Sequence, residues 1–320
     1  MLYWDVERLL DLTIMPVSIP QIIQYQGSKR LLAPLILQYF PKHARKLWEP
    51  FSGMAAITIA AAKQRKADTY HLNDINMPLV KILQATVERP QQLLDEYTII
   101  WEEQVSYSGG AEQHFYKIRD EFNTGRQDAA RLLYLIARCV KGAVRYGSDG
   151  KFNQSPDKRR HGTKPSLLRS RLYEISALLC GKTTFSAVDY REIFEQAEPG
   201  DLVYMDPPDQ GVSNVRDKRY FSGVPREEFA IALEILNRKK INFLISYDGS
   251  CGDKTYGEEL PAELGCHKIL LHAGYSSQAT LLGRKEETVE ALYVSQELYR
   301  EYSMSAIVAR QPELNFECAI

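Results

Sequence analysis

Apolar residues recur along this chain in two rhythms. Short runs of strand type fall at 46–49, 70–74, 183–188, 202–205, 242–246, 268–272 and 290–295. Helical spacing separates most of them, at 31–40, in an Ala-rich stretch to Lys63, at 75–86 and at 226–239. Strands alternating with helices predict an α/β fold with a mainly parallel sheet covered on both faces. The run at 202–205 stops at Asp206-Pro207-Pro208-Asp209. Two prolines fix φ and lack N–H groups, so the ladder ends there and Asp206 and the Pro207 carbonyl project rigidly from the carboxyl end of a buried strand. Open α/β sheets bind ligands at that edge.

Between 88 and 176 the rhythm changes. Gln/Glu-rich helical stretches at 91–104, 113–122 and 129–140 lead into a basic segment ending near Arg171, without βαβ spacing. Residues 88–176 are therefore expected to be an insertion, with 21–87 and 177–300 forming the main domain. The remainders, 1–20 with a helix at 3–12 and 301–320, read as terminal extensions. Gly147 and Gly150 predict a hairpin or tight loop in the basic segment.

Hydrophobic residues at 44% and charged residues at 25% are ordinary globular values in a chain of 320, and no apolar run approaches a membrane span. Asp5, Glu7 and Asp11 interrupt the first apolar residues, so a cytoplasmic protein is expected. Cys139, Cys180, Cys251, Cys266 and Cys318 form no C-x-x-C pair, which argues against a zinc site or a disulfide framework. No metal is expected. A net charge of −1 leaves any nucleic-acid contact to a local patch, and residues 138–171 offer ten Lys and Arg against two Asp, interspersed with Tyr146, Phe152, Asn153 and Gln154. A solvated basic loop would have the same composition.

Candidate chemistry follows the strand ends. A carboxylate oxygen beside a carbonyl oxygen, as at Asp206 and Pro207, suits a planar NH2 group. Tyr25-Gln-Gly27-Ser-Lys29 opens a helix whose free N–H groups suit an anion or carboxylate. Glu49-Pro-Phe51-Ser52-Gly53-Met-Ala55 reads as strand, Gly turn and small-residue helix, where glycine lets backbone approach a cofactor closely. The fingerprint G-x-G-x-x-G is not matched, so a nicotinamide oxidoreductase is a poor reading. About twenty residues on, Asp74-Ile75 ends the next strand; such an acid accepts hydrogen bonds from ribose hydroxyls and is equally compatible with a helix N-cap.

Asp206-Pro207-Pro208 resembles the D-P-P-aromatic motif of the amino-methylating DNA methyltransferases. Tyr25 to Lys29, the Gly53 turn, Asp74 and Asp189-Tyr190 follow in the order of the Dam-type (D12 class, alpha-order) DNA adenine-N6 methyltransferases, and Arg145-Tyr146 to Phe152-Asn153 is similar to their R-x-N-x-x-G-x-F-N region. The resemblance covers about residues 21–295. It implies a Rossmann-like S-adenosylmethionine-dependent methyltransferase sheet with an antiparallel last strand and an inserted, mostly helical target-recognition domain. S-adenosyl-L-methionine would be held by Tyr25, Gly27, Lys29, Phe51, Ser52, Gly53, Asp74, Ile75, Asp189 and Tyr190. Asp206, Pro207, Pro208 and Asp209 would form the catalytic motif. Double-stranded DNA would meet Arg145, Tyr146, Lys151, Asn153, Lys158, Arg159 and Arg160. A monomer is favoured, and a companion restriction endonuclease fits the family. Two positions depart from it: Ala55 stands at the second Gly of F-x-G-x-G, removing φ freedom, and Asp209 replaces the aromatic on which a flipped base stacks. The latter keeps open a catalytically silent protein that binds cofactor and DNA; an RNA adenine methyltransferase is the other alternative.

Overall fold

A computed structural model of the protein describes residues 18–208, 224–251, 254–256, 258–275 and 287–310. The expected helix at 3–12, Asp209 and the segment that follows it to 223 lie outside the described residues. Eight described strands make one sheet: β1 Ala44–Glu49, β2 Ala67–Asn73, β3 Thr183–Ser186, β4 Leu202–Met205, β5 Asn242–Cys251, β6 Lys254–Tyr256, β7 His267–Tyr275 and β8 Glu287–Val294. Their order is β3-β2-β1-β4-β5-β8-β7, with β6 hairpinned onto β5. Strands β1 to β5 are mutually parallel, and β8 runs antiparallel between β5 and β7. This is the mainly parallel sheet with an antiparallel last strand that the spacing and the resemblance implied.

Every residue of β4 is buried, and its alternate side chains serve two different layers. Leu202 and Tyr204 join the core beneath α2 (Ala56–Lys63), α3 (Met77–Glu88) and α7 (Pro165–Leu179), whereas Val203 and Met205 pack with α8 (Tyr190–Gln196) and α9 (Arg226–Arg238). A strand covered on both faces reads as a continuous apolar run, which is why its limits were visible without the structure.

Other boundaries moved. The stretch 31–40 is not one helix but a 3-10 turn, Lys29–Leu31, then α1 (Ala33–Ile36), then a second 3-10 turn, Leu37–Tyr39. Pro34 lacks the N–H that would bond back to residue 30, and Pro41 holds Phe40 extended, so neither side can propagate. Helix α3 starts at Met77 with Asn76, not Asp74, at its N-cap. Ala55 adopts the left-handed region at φ 54 despite its Cβ, at the N-cap of α2, a conformation that costs an L-residue roughly 1–2 kcal/mol. Helix α10 (Gln296–Arg310) follows β8 where an extension was expected.

Within residues 88–176, α4 (Pro90–Ser106), α5 (Gly110–Asn123) and α6 (Ala129–Arg138) pack with α3 and α7, and their apolar faces are continuous with the core on one side of the sheet. Helix α7 begins inside the basic segment, because Leu168, Leu172, Ile175 and Leu179 line one helical face between Arg169 and Arg171. The hairpin expected at Gly147 and Gly150 forms: Tyr146 pairs antiparallel with Phe152, and Gly147 N–H donates to the Lys151 carbonyl at 2.8 Å. Asn123 pins it to α5, its Oδ1 accepting the Phe152 N–H at 2.8 Å and its Nδ2 donating to the Phe152 carbonyl at 2.9 Å.

Gly142, at φ +62 and buried, seats this region on the segment at 24–26: the Gln26 N–H donates to its carbonyl at 3.2 Å. A Cβ there would collide with the Gln24 carbonyl oxygen. Gly142→Ala is therefore expected to destabilise the protein by about 2–3 kcal/mol, measured by urea unfolding; a variant as stable as the parent would show that this seam yields without cost.

Candidate active site

The strand order reverses between β1 and β4. From β1 the chain proceeds outward to β2 and β3, then returns to β4 on the other flank, so the crevice beyond the carboxyl ends of β1 and β4 is a topological switch point. Two adjoining cavities open there. The larger, 290 Å³, is lined by residues including Phe51, Asp74, Ile75, Asp189, Tyr190 and Tyr146; the smaller, 120 Å³, by Gly27, Lys29, Glu49, Ser52, Gly53, Asp206 and Pro207 among others. Tyr25, Phe51 and Pro208 belong to both. The structure thus gathers all ten expected cofactor residues, together with Asp206, Pro207 and Pro208, around one bipartite space.

Asp74 is fixed in the larger cavity by backbone. Gly53 N–H donates to its Oδ2 at 3.0 Å and Asn76 N–H to its Oδ1 at 2.9 Å. Burial nevertheless dominates and pushes its carboxyl up to about 6. Gly53 is at φ +49, and a Cβ on it would come within 3.1 Å of the Tyr25 ring, so glycine here permits both the turn and the close approach of that wall. Phe51 packs against Tyr190 at 5.2 Å and Phe229 at 6.2 Å between ring centroids, giving the cavity an aromatic side. Asp189 caps α8 and grips its own neighbour: the Arg191 backbone N–H, Nε and Nη2 all donate to it, at 2.9, 2.8 and 3.0 Å. The Arg191 bonds hold its carboxyl below the usual carboxylate range.

Asn73 was not singled out from the sequence, yet it ties the cavity floor together. Its Nδ2 donates to the carbonyls of Pro50 and Val188, each at 3.0 Å, while its Oδ1 accepts from Ser186 Oγ at 2.6 Å and Val188 N–H at 3.0 Å. One buried amide therefore locks the carboxyl ends of β1, β2 and β3 in register.

The smaller cavity is dominated by charge. Lys29 Nζ lies 3.1 Å from Asp206 Oδ1 and 3.5 Å from Glu290 Oε2 on β8. Its ammonium thus acts on the Asp-Pro-Pro motif, a role that loop composition alone did not indicate. Glu49, only 3% exposed, accepts the Thr58 N–H at 3.1 Å; burial, with help from Asp206 and Asp74, pushes its carboxyl up to about 8. Ser52 Oγ, in the lining of the same cavity, is buried without a hydrogen-bond partner among the described residues.

The basic residues divide. Lys151, Asn153, Lys158, Arg159 and Arg160 are exposed. Arg145 is half-buried, with a buried Nε that has no partner among the described residues, and Tyr146 turns inward to the larger cavity. Arg138 does not contribute surface charge: it is 2% exposed and donates to the carbonyls of Asp157 and Ala111, at 3.3 and 3.2 Å, anchoring the basic loop.

A sequence profile of the D12 class N6 adenine-specific DNA methyltransferases matches residues 25–305. The chain is similar to the type II methyltransferase M1.LlaDCHI of Lactococcus lactis subsp. cremoris, 22% identical over 87% of this chain and 96% of that protein. It is also similar to the DNA N-6-adenine-methyltransferase of Escherichia phage P1, 26% identical over 63% of this chain and 26% of that one. The DNA adenine methylase of Haemophilus influenzae is 24% identical over 70% of this chain and 78% of its own length.

The raised carboxyls have a consequence for the ligand-free protein. A buried acid whose native value lies above its unfolded value keeps its proton in the folded state between the two, so stability is full below the unfolded value and is lost as pH rises through the native one. For Glu49 that window runs from 4.5 to about 8. Unfolding in urea at stepped pH is expected to show stability falling by about 5 kcal/mol across it. Glu49→Gln should flatten the decline, and an unchanged slope in that variant would remove Glu49 as its source.

Proposed function

Because the chain belongs to the D12 class of N6 adenine-specific DNA methyltransferases, a family that uses S-adenosyl-L-methionine as methyl donor, we propose that Asp206 and the Pro207 carbonyl receive the N6 amino group of an adenine flipped out of duplex DNA. The observation that carries this reading is the rigid acceptor pair at the end of β4, opening onto a bipartite cavity at the switch point. The cofactor, when bound, supplies an electrophilic methyl group. The protein's residues fit it: an acid at the end of β2 for ribose, an aromatic side formed by Phe51 and Tyr190, a glycine turn, and an unpartnered Ser52 hydroxyl with Glu49 for the polar end.

Adenine N6 is a poor nucleophile, since its lone pair is conjugated with the ring. Hydrogen bonds from the amino group to Asp206 and to the Pro207 carbonyl favour a pyramidal nitrogen, stabilise the positive charge that develops on it and aim its lone pair. Lys29 sets its ammonium 3.1 Å from Asp206 Oδ1, which orients that carboxyl group beside the amino group it is to receive. Reaching N6 requires base flipping, because the duplex hides the base in its stack. We assign duplex engagement to residues 88–176, with Lys151, Asn153, Lys158, Arg159 and Arg160 on the exposed face. A monomer acting on DNA in the cytoplasm, alongside a companion endonuclease, is the setting this reading favours; no helix among the described residues is long and apolar enough to cross a membrane.

One sequence observation favours a second reading, a silent protein that binds cofactor and DNA. Asp209 offers no π face to a flipped base, and base stacking contributes roughly 1–3 kcal/mol.

Two experiments test the assignment. Calorimetry with S-adenosylmethionine should show Asp74→Ala binding weaker by about 1.5–3 kcal/mol, and equal affinity in both proteins would take the ribose role from Asp74. Methyl incorporation into duplex DNA should be low in the parent and rise by orders of magnitude in Asp209→Tyr. Full turnover by the parent, with no gain in the variant, would point to a rebuilt target pocket.

A further inference from the structure

The hairpin at 144–153 has two working sides. Its returning arm carries exposed Lys151 and Asn153, while Val144 and Tyr146 on the other arm line the larger cavity. The Tyr146 hydroxyl donates to Asn76 Oδ1 at 3.1 Å. Asn76 is 4% exposed, stands at the N-cap of α3, and gives its own N–H to Asp74 Oδ1 at 2.9 Å. A continuous chain of hydrogen bonds therefore runs from the hairpin to the acid at the end of β2. Burial pushes the Tyr146 phenol up to about 12, so it remains a donor at neutral pH. The same region grips the opposite wall: Gln26 N–H donates to the Gly142 carbonyl at 3.2 Å and Arg160 Nη1 to Gln24 Oε1 at 3.0 Å, on either side of Tyr25.

We propose that the hairpin is a wall of the cofactor site as well as part of the DNA surface, with Tyr146 a positioning residue whose bond to Asn76 holds it docked and is reinforced when the larger cavity is filled. The inference rests on the cofactor reading above and adds residues that neither composition nor motif placed there. Its physical basis is differential affinity. A ligand filling the cavity gains contact with Val144 and Tyr146 only while the hairpin is docked, so it must shift the hairpin toward that state; by linkage, whatever holds the hairpin docked tightens the ligand by the same factor. DNA pressing on Lys151 and Asn153 is such an agent. Filling the cavity and reading the duplex thus reinforce one another through the Tyr146 hydroxyl and Asn76.

The test needs no knowledge of the recognition sequence. S-adenosylhomocysteine binding is measured by calorimetry, and backbone amide exchange of residues 144–153 by mass spectrometry with and without it, in the parent, Tyr146→Phe and Tyr146→Ala. Exchange is expected to slow at least about 5-fold in the parent on binding, within the usual range of coupling factors. Tyr146→Phe should bind about 2- to 10-fold more weakly, the effect of one hydrogen bond, and lose most of that slowing; Tyr146→Ala should bind more weakly still. Thermal melts of both variants check that the fold is intact. A parent that binds while its hairpin exchange stays unchanged, or variants that bind and respond like the parent, would overturn the coupling alone. A parent that does not bind would remove the cofactor reading and this inference with it.

Discussion

Three carboxyl groups delivered to one crevice are the constraint on which this site depends. Parallel strands all present their carboxyl ends to the same edge of the sheet, and here β1, β2 and β4 end at Glu49, Asp74 and Asp206. Enclosing three negative charges would be prohibitive if they were left alone. Each is compensated differently. Glu49 is pushed up by burial until it favours the protonated form at neutral pH, Asp74 takes two backbone N–H groups, and Asp206 lies beside the ammonium of Lys29.

Such a crevice works only if the strand ends keep their spacing. Asn73 closes one flank by bonding to the ends of β1 and β3 at once. At the opposite end of β4, Asp201 accepts from Trp48 Nε1 at 2.8 Å, Arg45 Nε at 2.9 Å and Glu198 N–H at 3.0 Å, which sets β4 against β1 before the chain reaches Asp206. Both are fully engaged buried polar groups, and satisfied networks of this kind favour one arrangement over its register-shifted neighbours. The rigidity of Asp206 thus has two sources, the prolines after it and the pinned strand before it.

How much of this was legible in the sequence depended on whether the signal was local. Strand β4 was read to the residue because an apolar run buried on both faces is bounded by an acid and two prolines. The Gly53 turn and Asp74 were visible because backbone geometry demanded a glycine and an acid at consecutive strand ends. Long-range partners were not visible. Lys29 looked like a loop cation near a helix start, and only the return of β4 and β8 to the same place puts Asp206 and Glu290 beside it. Glu49 stood in a visible strand-end motif, but its raised carboxyl comes first from burial in the folded core and then from Asp206 and Asp74, 157 and 25 positions away in sequence. Arg138 counted as surface charge by composition and is buried, because its helix turns that face toward the loop it anchors.

The inserted region shows the same limit in another form. Its helices carry the expected helical period, yet they complete no separate core; α4, α5 and α6 bury their apolar faces in the layer that also holds α3, α7 and one face of β4. Helix α7 then carries the chain from the basic segment directly into β3. A region joined through a continuous, close-packed interior cannot move freely on a linker, since such interiors respond to displacement by switching between discrete packings. Freedom is left to what lies outside that interior, chiefly the hairpin tip and the loop around Lys158 to Arg160. Both bond across the larger cavity's walls, Tyr146 to Asn76 and Arg160 to Gln24. Contacts of that strength, near 1 kcal/mol each, are weak enough to exchange on binding and directional enough to report which state has been chosen.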